Sequence, residues 1–166
     1  MPKQPKQLNE LFHDTLKDIY FAEKKILTAL PQMAKAANNQ DLAAAFEKHK
    51  QETQGQVERL DQVFSILDES PRGKNCPAIL GIIDEGKEIM DDYSDSPALD
   101  AGLLSAAQAV EHYEISRYGT LIAWANELGL TDAVPLLEET LEQEKATDEA
   151  LTRLAETAIN QEAEAA

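Results

Sequence analysis

The chain has 166 residues, with 15 Lys and Arg against 31 Asp and Glu, for a formal charge of −16; it is 43% hydrophobic and 5% aromatic. That length suits one well-buried domain over residues 1–166, and the charge repels phosphate, which excludes nucleic acid and anionic membranes as partners and makes cations the natural ones. The single cysteine, Cys76, excludes an intramolecular disulfide and points to a reducing compartment. Because MPKQPKQ lacks an apolar signal core and no run of about 18 apolar residues occurs, a soluble cytoplasmic protein is expected.

Apolar periodicity at alternating steps of four and three predicts five helices. The first covers about Gln7 to Ala37, with Phe12, Leu16, Ile19, Glu23, Ile26, Leu30 and Met33 on one seam. Pro31 predicts a kink inside it, and Asn38-Asn39 supply a stop and an N-cap. The second covers Gln40 to Leu67, with Leu42, Ala45, His49, Glu52, Gln56, Leu60 and Val63 inward. Gly55 beside its polar positions predicts close backbone approach or room for a bound species.

The segment from Glu69 to Cys76 breaks the pattern, and a shorter helix follows from Pro77 to Tyr93 with no acid on its seam. Ser96 is the predicted N-cap of a fourth helix from Pro97 to Leu128, which Gly129 ends in a left-handed cap. Its seam includes Asp100, Leu104, Ala107, Glu111, Glu114, Tyr118 and Leu121. A fifth helix, capped by Thr131, carries Leu137, Leu141, Glu144, Asp148, Leu151, Ala155 and Ala158 inward. The tail from Gln161 to Ala166 has no apolar anchor and is expected to fray.

The acids repeat. Glu23 and Glu52 are nearly equidistant from the turn at Asn38, and Glu114 and Glu144 are equidistant from Gly129, so each pair faces across an antiparallel hairpin. At about 1.5 Å per residue both pairs lie roughly 22 Å from their turns. Tyr20 corresponds to Glu111, and Gln56 to Asp148, so the chain reads as two copies of a helical hairpin. A four-helix bundle with one long crossover, carrying the additional short helix, is the expected fold.

Burying a carboxylate costs several kcal/mol, so acids gathered at one level need compensation. Glu23, Glu52, Glu111, Glu114, Glu144 and Asp148 are the candidate metal ligands. His49 is either a ligand or a hydrogen-bond partner of one, and Gln56 supports a ligand. Oxygen donors in this number suit two Fe or Mn ions; Zn would expect more His or Cys, and calcium or magnesium is the remaining alternative, although no loop has calcium-ligand spacing. Tyr20 and Tyr118 flank the glutamates as packed aromatics. His112 points to the surface or an interface, His13 is structural, and Trp124 makes core or dimer packing.

The segments Tyr20-Phe-Ala-Glu-Lys-Lys-Ile26, His49-Lys-Gln-Glu-Thr53, Val110-Glu-His-Tyr-Glu-Ile115 with Tyr118-Gly-Thr-Leu121, and Leu141-Glu-Gln-Glu-Lys-Ala-Thr-Asp148 resemble the YciE/YciF-type ferritin-like proteins across nearly the whole chain. The resemblance implies a rubrerythrin-like di-metal bundle, a cytoplasmic homodimer linked to bacterial stress responses. It matches Glu23, Glu52, Glu111, Glu114 and Glu144 to carboxylate ligand positions. Ferritin-like sites usually place His three residues after Glu on two helices, and here Gly55 and Thr147 stand there. The expected chemistry is reaction with dioxygen or peroxide. With one cysteine there is no rubredoxin-like module, so an external electron donor is expected. The alternatives are a helical dimer that binds or protects without redox chemistry, or iron storage.

Overall fold

The structure is a computed structural model that describes residues 4–165. Met1, Pro2, Lys3 and Ala166, which enter the readings of both termini, lie outside the described residues. Five long helices form: α1 Leu8–Ala36, α2 Gln40–Ile66, α3 Pro77–Asp92, α4 Leu99–Glu127 and α5 Val134–Leu154. A π-turn at Ala155–Ile159 continues α5 into a last helix, α6, at Asn160–Glu164. No strand occurs among the described residues, and no helix is long and apolar enough to cross a membrane.

Helices α1 and α2 form one antiparallel hairpin, α4 and α5 the other, and the hairpins meet through α1 against α4 and α2 against α5. The crossover carries α3 along the outside, packed on α4 and α1. Each hairpin has a sharp local cause. Asn39 Oδ1 caps α2, accepting from Asp41 N at 2.9 Å and Leu42 N at 3.1 Å. Gly129, at φ 71, ends α4 in a Schellman turn: Leu130 N donates to Ala125 O at 2.8 Å and Gly129 N to Asn126 O at 3.1 Å. Ser96 opens the turn before α4, accepting from Ala98 N at 3.1 Å, although the helix itself starts at Leu99.

Asp100 is not part of the central acid layer. Its two carboxyl oxygens accept from the backbone N–H groups of Asn38 at 2.8 Å and Asn39 at 2.7 Å. A buried acid near the start of α4 thus closes the α1–α2 turn and locks the hairpins end to end.

Five expectations need correction. Thr131 does not cap α5, which starts at Val134 after Ala133 with no side-chain cap hydrogen bond. The inner stripe of α2 runs through Leu42, Phe46, His49, Thr53 and Gln56, so Phe46 and Thr53 take the places expected of Ala45 and Glu52. On α5, Thr140 is buried where Leu141 was expected, and the π-turn adds a residue to the turn so that Ile159, not Ala158, reaches the core. The C-terminal stretch stays helical to Glu164, with Ile159 as its anchor and Glu162 accepting from the Asn39 amide at 3.3 Å. Gly55 makes no close approach, since a Cβ there would meet only Arg59 Nη1 at 3.7 Å. The close contact is at Gly102, where a Cβ would fall 2.6 Å from Ile89 Cγ2 and push α3 off α4.

Candidate metal centre

Each functional side chain sits near the middle of its helix on the inward stripe, whose turns nearer the helix ends are mostly apolar. Glu23 lies between Ile19 and Ile26 on α1; His49 and Gln56 come from α2, Glu111 and Glu114 from α4, and Glu144 from α5. All four glutamates and Gln56 are fully buried, and His49 is 3% exposed. The apolar stripe forces the burial, and the two hairpins bring the side chains to one level.

Donor atoms from His49, Glu111, Glu114 and Glu144 all lie within 4.8 Å of one another. His49 Nδ1 is 2.9 Å from Glu111 Oε1, and Nε2 is 3.9 Å from Glu144 Oε2. The Gln56 amide donates to Glu144 Oε1 and, at 3.3 Å, to Gln143 Oε1. Across the layer the Tyr118 hydroxyl donates to Glu23 Oε1. Beyond these contacts the layer is unsatisfied. Glu23 Oε2, His49 Nε2, Gln56 Oε1, Glu144 Oε2 and both oxygens of Glu111 and Glu114 have no hydrogen-bond partner, Glu111 Oε1 included despite its nearness to His49.

Burial sets the electrostatics. Loss of hydration, reinforced by Glu144 nearby, raises the Glu23 carboxyl to about 8. Burial is also the leading cause that lifts Glu111 and Glu114 well above the usual carboxylate range, again with Glu144 and the other acids adding to it. Burial lowers His49, so its ring is neutral and keeps a lone pair. Tyr118 is raised by burial and by the charge of Glu23, and stays a donor.

Glu23 is buried in the same layer but is not among the four residues whose donor atoms converge, and two further predicted ligands stand outside the layer altogether. Glu52 is on the rim, its side chain 22% exposed, accepting from Thr147 Oγ1 at 3.3 Å with Lys48 Nζ at 3.6 Å. The stripe passes through Thr53 instead, whose hydroxyl donates to His49 O at 2.8 Å. Asp148 is also half-buried, bonded to the Gln108 amide at 3.2 Å and 3.1 Å from His112 Nε2. Its hydrogen bonds draw Asp148 toward Gln108 and His112 of α4. The predicted equivalence of the hairpins therefore breaks where it matters: Glu144 is buried while Glu52 is not, and His49 faces the acids of the other hairpin.

Other placements follow the sequence. His112 is exposed. Tyr20 packs edge-on to Phe64 at 5.3 Å. His13 meets Phe64 edge to face at 6.1 Å, and Trp124 is half-buried against the core. Sequence reading missed Arg59, which ties α2 to α5 through Thr140 at 3.0 Å, Glu139 at 3.0 Å and Gln143. It also missed the outer chain in which Tyr113 donates to Asp18 at 2.5 Å and lies 3.0 Å from Cys76 Sγ. Long-range pairs of this kind leave no periodic signal.

The donor set fits a hard or borderline cation. It offers a neutral imidazole and carboxylates, and its orphaned oxygens face one another inside the protein, where ionised carboxylates accept hydrogen bonds but cannot donate them.

Comparison with known proteins places the chain. Residues 7–164 match the family described as a domain of unknown function, DUF892. Protein YciF of Escherichia coli K12 is 44% identical over 160 residues, 96% of each chain. The crystal structure of that organism's stress protein YciF superposes with a TM-score of 0.89 at 43% identity, covering 95% of this chain and 99% of the other. YcfI from Rhodopseudomonas palustris superposes with a TM-score of 0.88 at 48% identity, covering 92% and 97%. A Xanthomonas campestris protein, 23% identical with a TM-score of 0.71, shares the fold. A match that spans the chain from its first helix to its last, with the bundle preserved throughout, makes this protein a member of the DUF892 family and a homologue of YciF.

Proposed function

We propose that the chain is a ferritin-like, non-haem metalloprotein in which Glu23, His49, Glu111, Glu114 and Glu144 hold two divalent ions, iron first and manganese second. Its activity is reaction with dioxygen or peroxide. The observation that carries this reading is the layer of four fully buried glutamates holding unpartnered oxygens, with no Lys or Arg paired to them among the described residues. Two divalent ions bring four positive charges, which equals the charge of the four carboxylates when ionised.

Bound iron would supply electrons for reduction of the oxidant. The chain's own residues do the rest. Gln56 holds one Glu144 oxygen and leaves the other free, and Tyr118 does the same for Glu23. The neutral His49 ring offers a nitrogen to the centre, and the apolar stripes above and below exclude water. Turnover beyond the electrons stored in iron needs an external donor. The same reading has the chain working as a cytoplasmic homodimer in the stress response.

Element analysis of purified protein, with melting curves before and after anaerobic Fe(II), tests the proposal. Co-purified Fe or Mn and a rise in Tm are expected. Neither element bound, together with an unchanged Tm, would overturn it.

A second reading rests on the raised carboxyls: if the acids keep their protons near neutral pH, the layer tolerates burial without metal. The chain would then be a helical dimer that binds or protects without redox chemistry. In that case Glu144→Ala leaves its role intact. Light scattering separates a dimer from an iron-storage cage.

A further inference from the structure

We propose that the hollow between α1, α3 and α4 is a binding site for dioxygen beside the metal centre, and that dioxygen rather than peroxide is the oxidant; this rests on the function proposed above. The extra helix α3 lies outside the four-helix bundle, and beneath it is a cavity of about 30 Å3 whose inner wall includes His49. A water needs roughly 10–15 Å3 of such space, so the hollow takes a molecule of about two heavy atoms.

The lining decides which molecule. Of the fourteen residues around the hollow, only Gln32, His49 and Lys87 carry polar side-chain groups. The Lys87 side chain is 55% exposed and has Asp84 at 3.7 Å, so its charge belongs to the surface. The nitrogens of His49 face Glu111 and Glu144 in the acid layer. What remains is a wall of Ile26, Met33, Ile83, Met90 and Val110. Gln32 is exposed, so its amide belongs to the surface, and the buried wall offers at most the one His49 nitrogen left without a partner, short of the two to four hydrogen-bond partners that water and hydrogen peroxide need. Dioxygen is apolar, diatomic and needs none.

Position makes the hollow useful. The His49 ring is shared by hollow and metal centre, so a molecule resting against Val110 and His49 is one residue along α4 from Glu111 and one ring away from Glu144. Gly86 of α3 keeps the space open. A Cβ there would meet Ala106 Cβ at 3.7 Å, ordinary contact, so only a longer side chain would fill the cavity.

Xenon, an apolar atom of similar reach, is the probe. Crystals of metal-free protein under xenon pressure are expected to show one xenon against Ile83, Met90 and Val110. In stopped-flow measurements on Fe(II)-loaded protein, Gly86→Leu and Ala106→Leu are expected to slow iron oxidation by dioxygen about tenfold or more while leaving oxidation by hydrogen peroxide unchanged. Gly86 lies on α3 and Ala106 on α4, so the two variants enter the space from different helices and misfolding of one leaves the other as the test. Equal slowing with both oxidants, or no slowing with either, would overturn the proposal. Absence of xenon from a protein that does bind iron would overturn this inference alone. Xenon seated in a protein that binds no iron would overturn the function proposed above while leaving the hollow an apolar site.

Discussion

Raising the pH of the metal-free protein should destabilise it, and the acid layer sets how much. In the fold, burial holds the Glu23 carboxyl at about 8, against an ordinary value of 4.5. A folded-state value above the unfolded one means that folding takes up a proton. The stability associated with this group is complete below pH 4.5 and is lost as pH rises toward 8, by about 1.4 kcal/mol per pH unit. His49 acts in the opposite sense below its ordinary value of 6.5, because burial lowers it and the unfolded chain there binds the extra proton. The clean window is therefore pH 6.5 to 8. Across it Glu23 alone removes about 2 kcal/mol, and Glu111 and Glu114 push the same way. In a chain of this size about 2 kcal/mol lowers Tm by roughly 4–8 °C. Circular-dichroism melts of EDTA-treated protein at pH 6.5, 7.2 and 8 measure this directly. Glu23→Gln, which keeps the Tyr118 hydrogen bond and cannot ionise, should flatten the slope. Saturating Mn(II) should abolish it, adding about 2.7 kcal/mol at one hundred times Kd. A Tm that stays level or climbs between pH 6.5 and 8 without metal would refute the reasoning.

Further outcomes follow from named contacts. His49→Ala and Glu144→Ala should each remove the metal-induced gain in Tm, whereas Glu52→Ala and Asp148→Ala, both on the rim, should retain most of it in the same titration. Asp100→Ala leaves two backbone N–H groups of the α1–α2 turn without their acceptor and should cost about 2–4 kcal/mol, read as a lower urea midpoint with unchanged m-value. Two glycines should behave oppositely in chemical unfolding. Gly55→Ala, whose Cβ would meet only the Arg59 side chain at ordinary contact distance, should stabilise by about 0.5–1 kcal/mol, while Gly102→Ala, which drives a Cβ into Ile89, should destabilise by about 1–3 kcal/mol.

The helices, their two hairpins and the crossover were legible because apolar residues repeat with the helical period over some thirty residues at a time, and because Asn39 and Gly129 are local signals whose physics needs no partner. The same periodicity exposed Glu23, Glu111, Glu114 and Glu144, each an acid where the stripe demands an apolar residue. Its resolution ran out at one residue, about 100° of rotation. Choosing Ala45 over Phe46 on α2 placed Glu52 inward where Thr53 belongs, and a four-residue step on α5 drew Asp148 in when its partners, Gln108 and His112, lie on the neighbouring helix.

What the sequence determined by itself was that four long helices would bury acids at a common level, since period and turn position are properties of the chain alone. Only the tertiary structure decided which acids converge. It turned His49 toward the opposite hairpin, assigned Asp100 to the α1–α2 turn, re-phased the last helix through a π-turn and opened a mostly apolar hollow under α3. Each of these depends on how one helix is rotated against another, and that rotation is settled by side chains far apart in sequence competing for the same space.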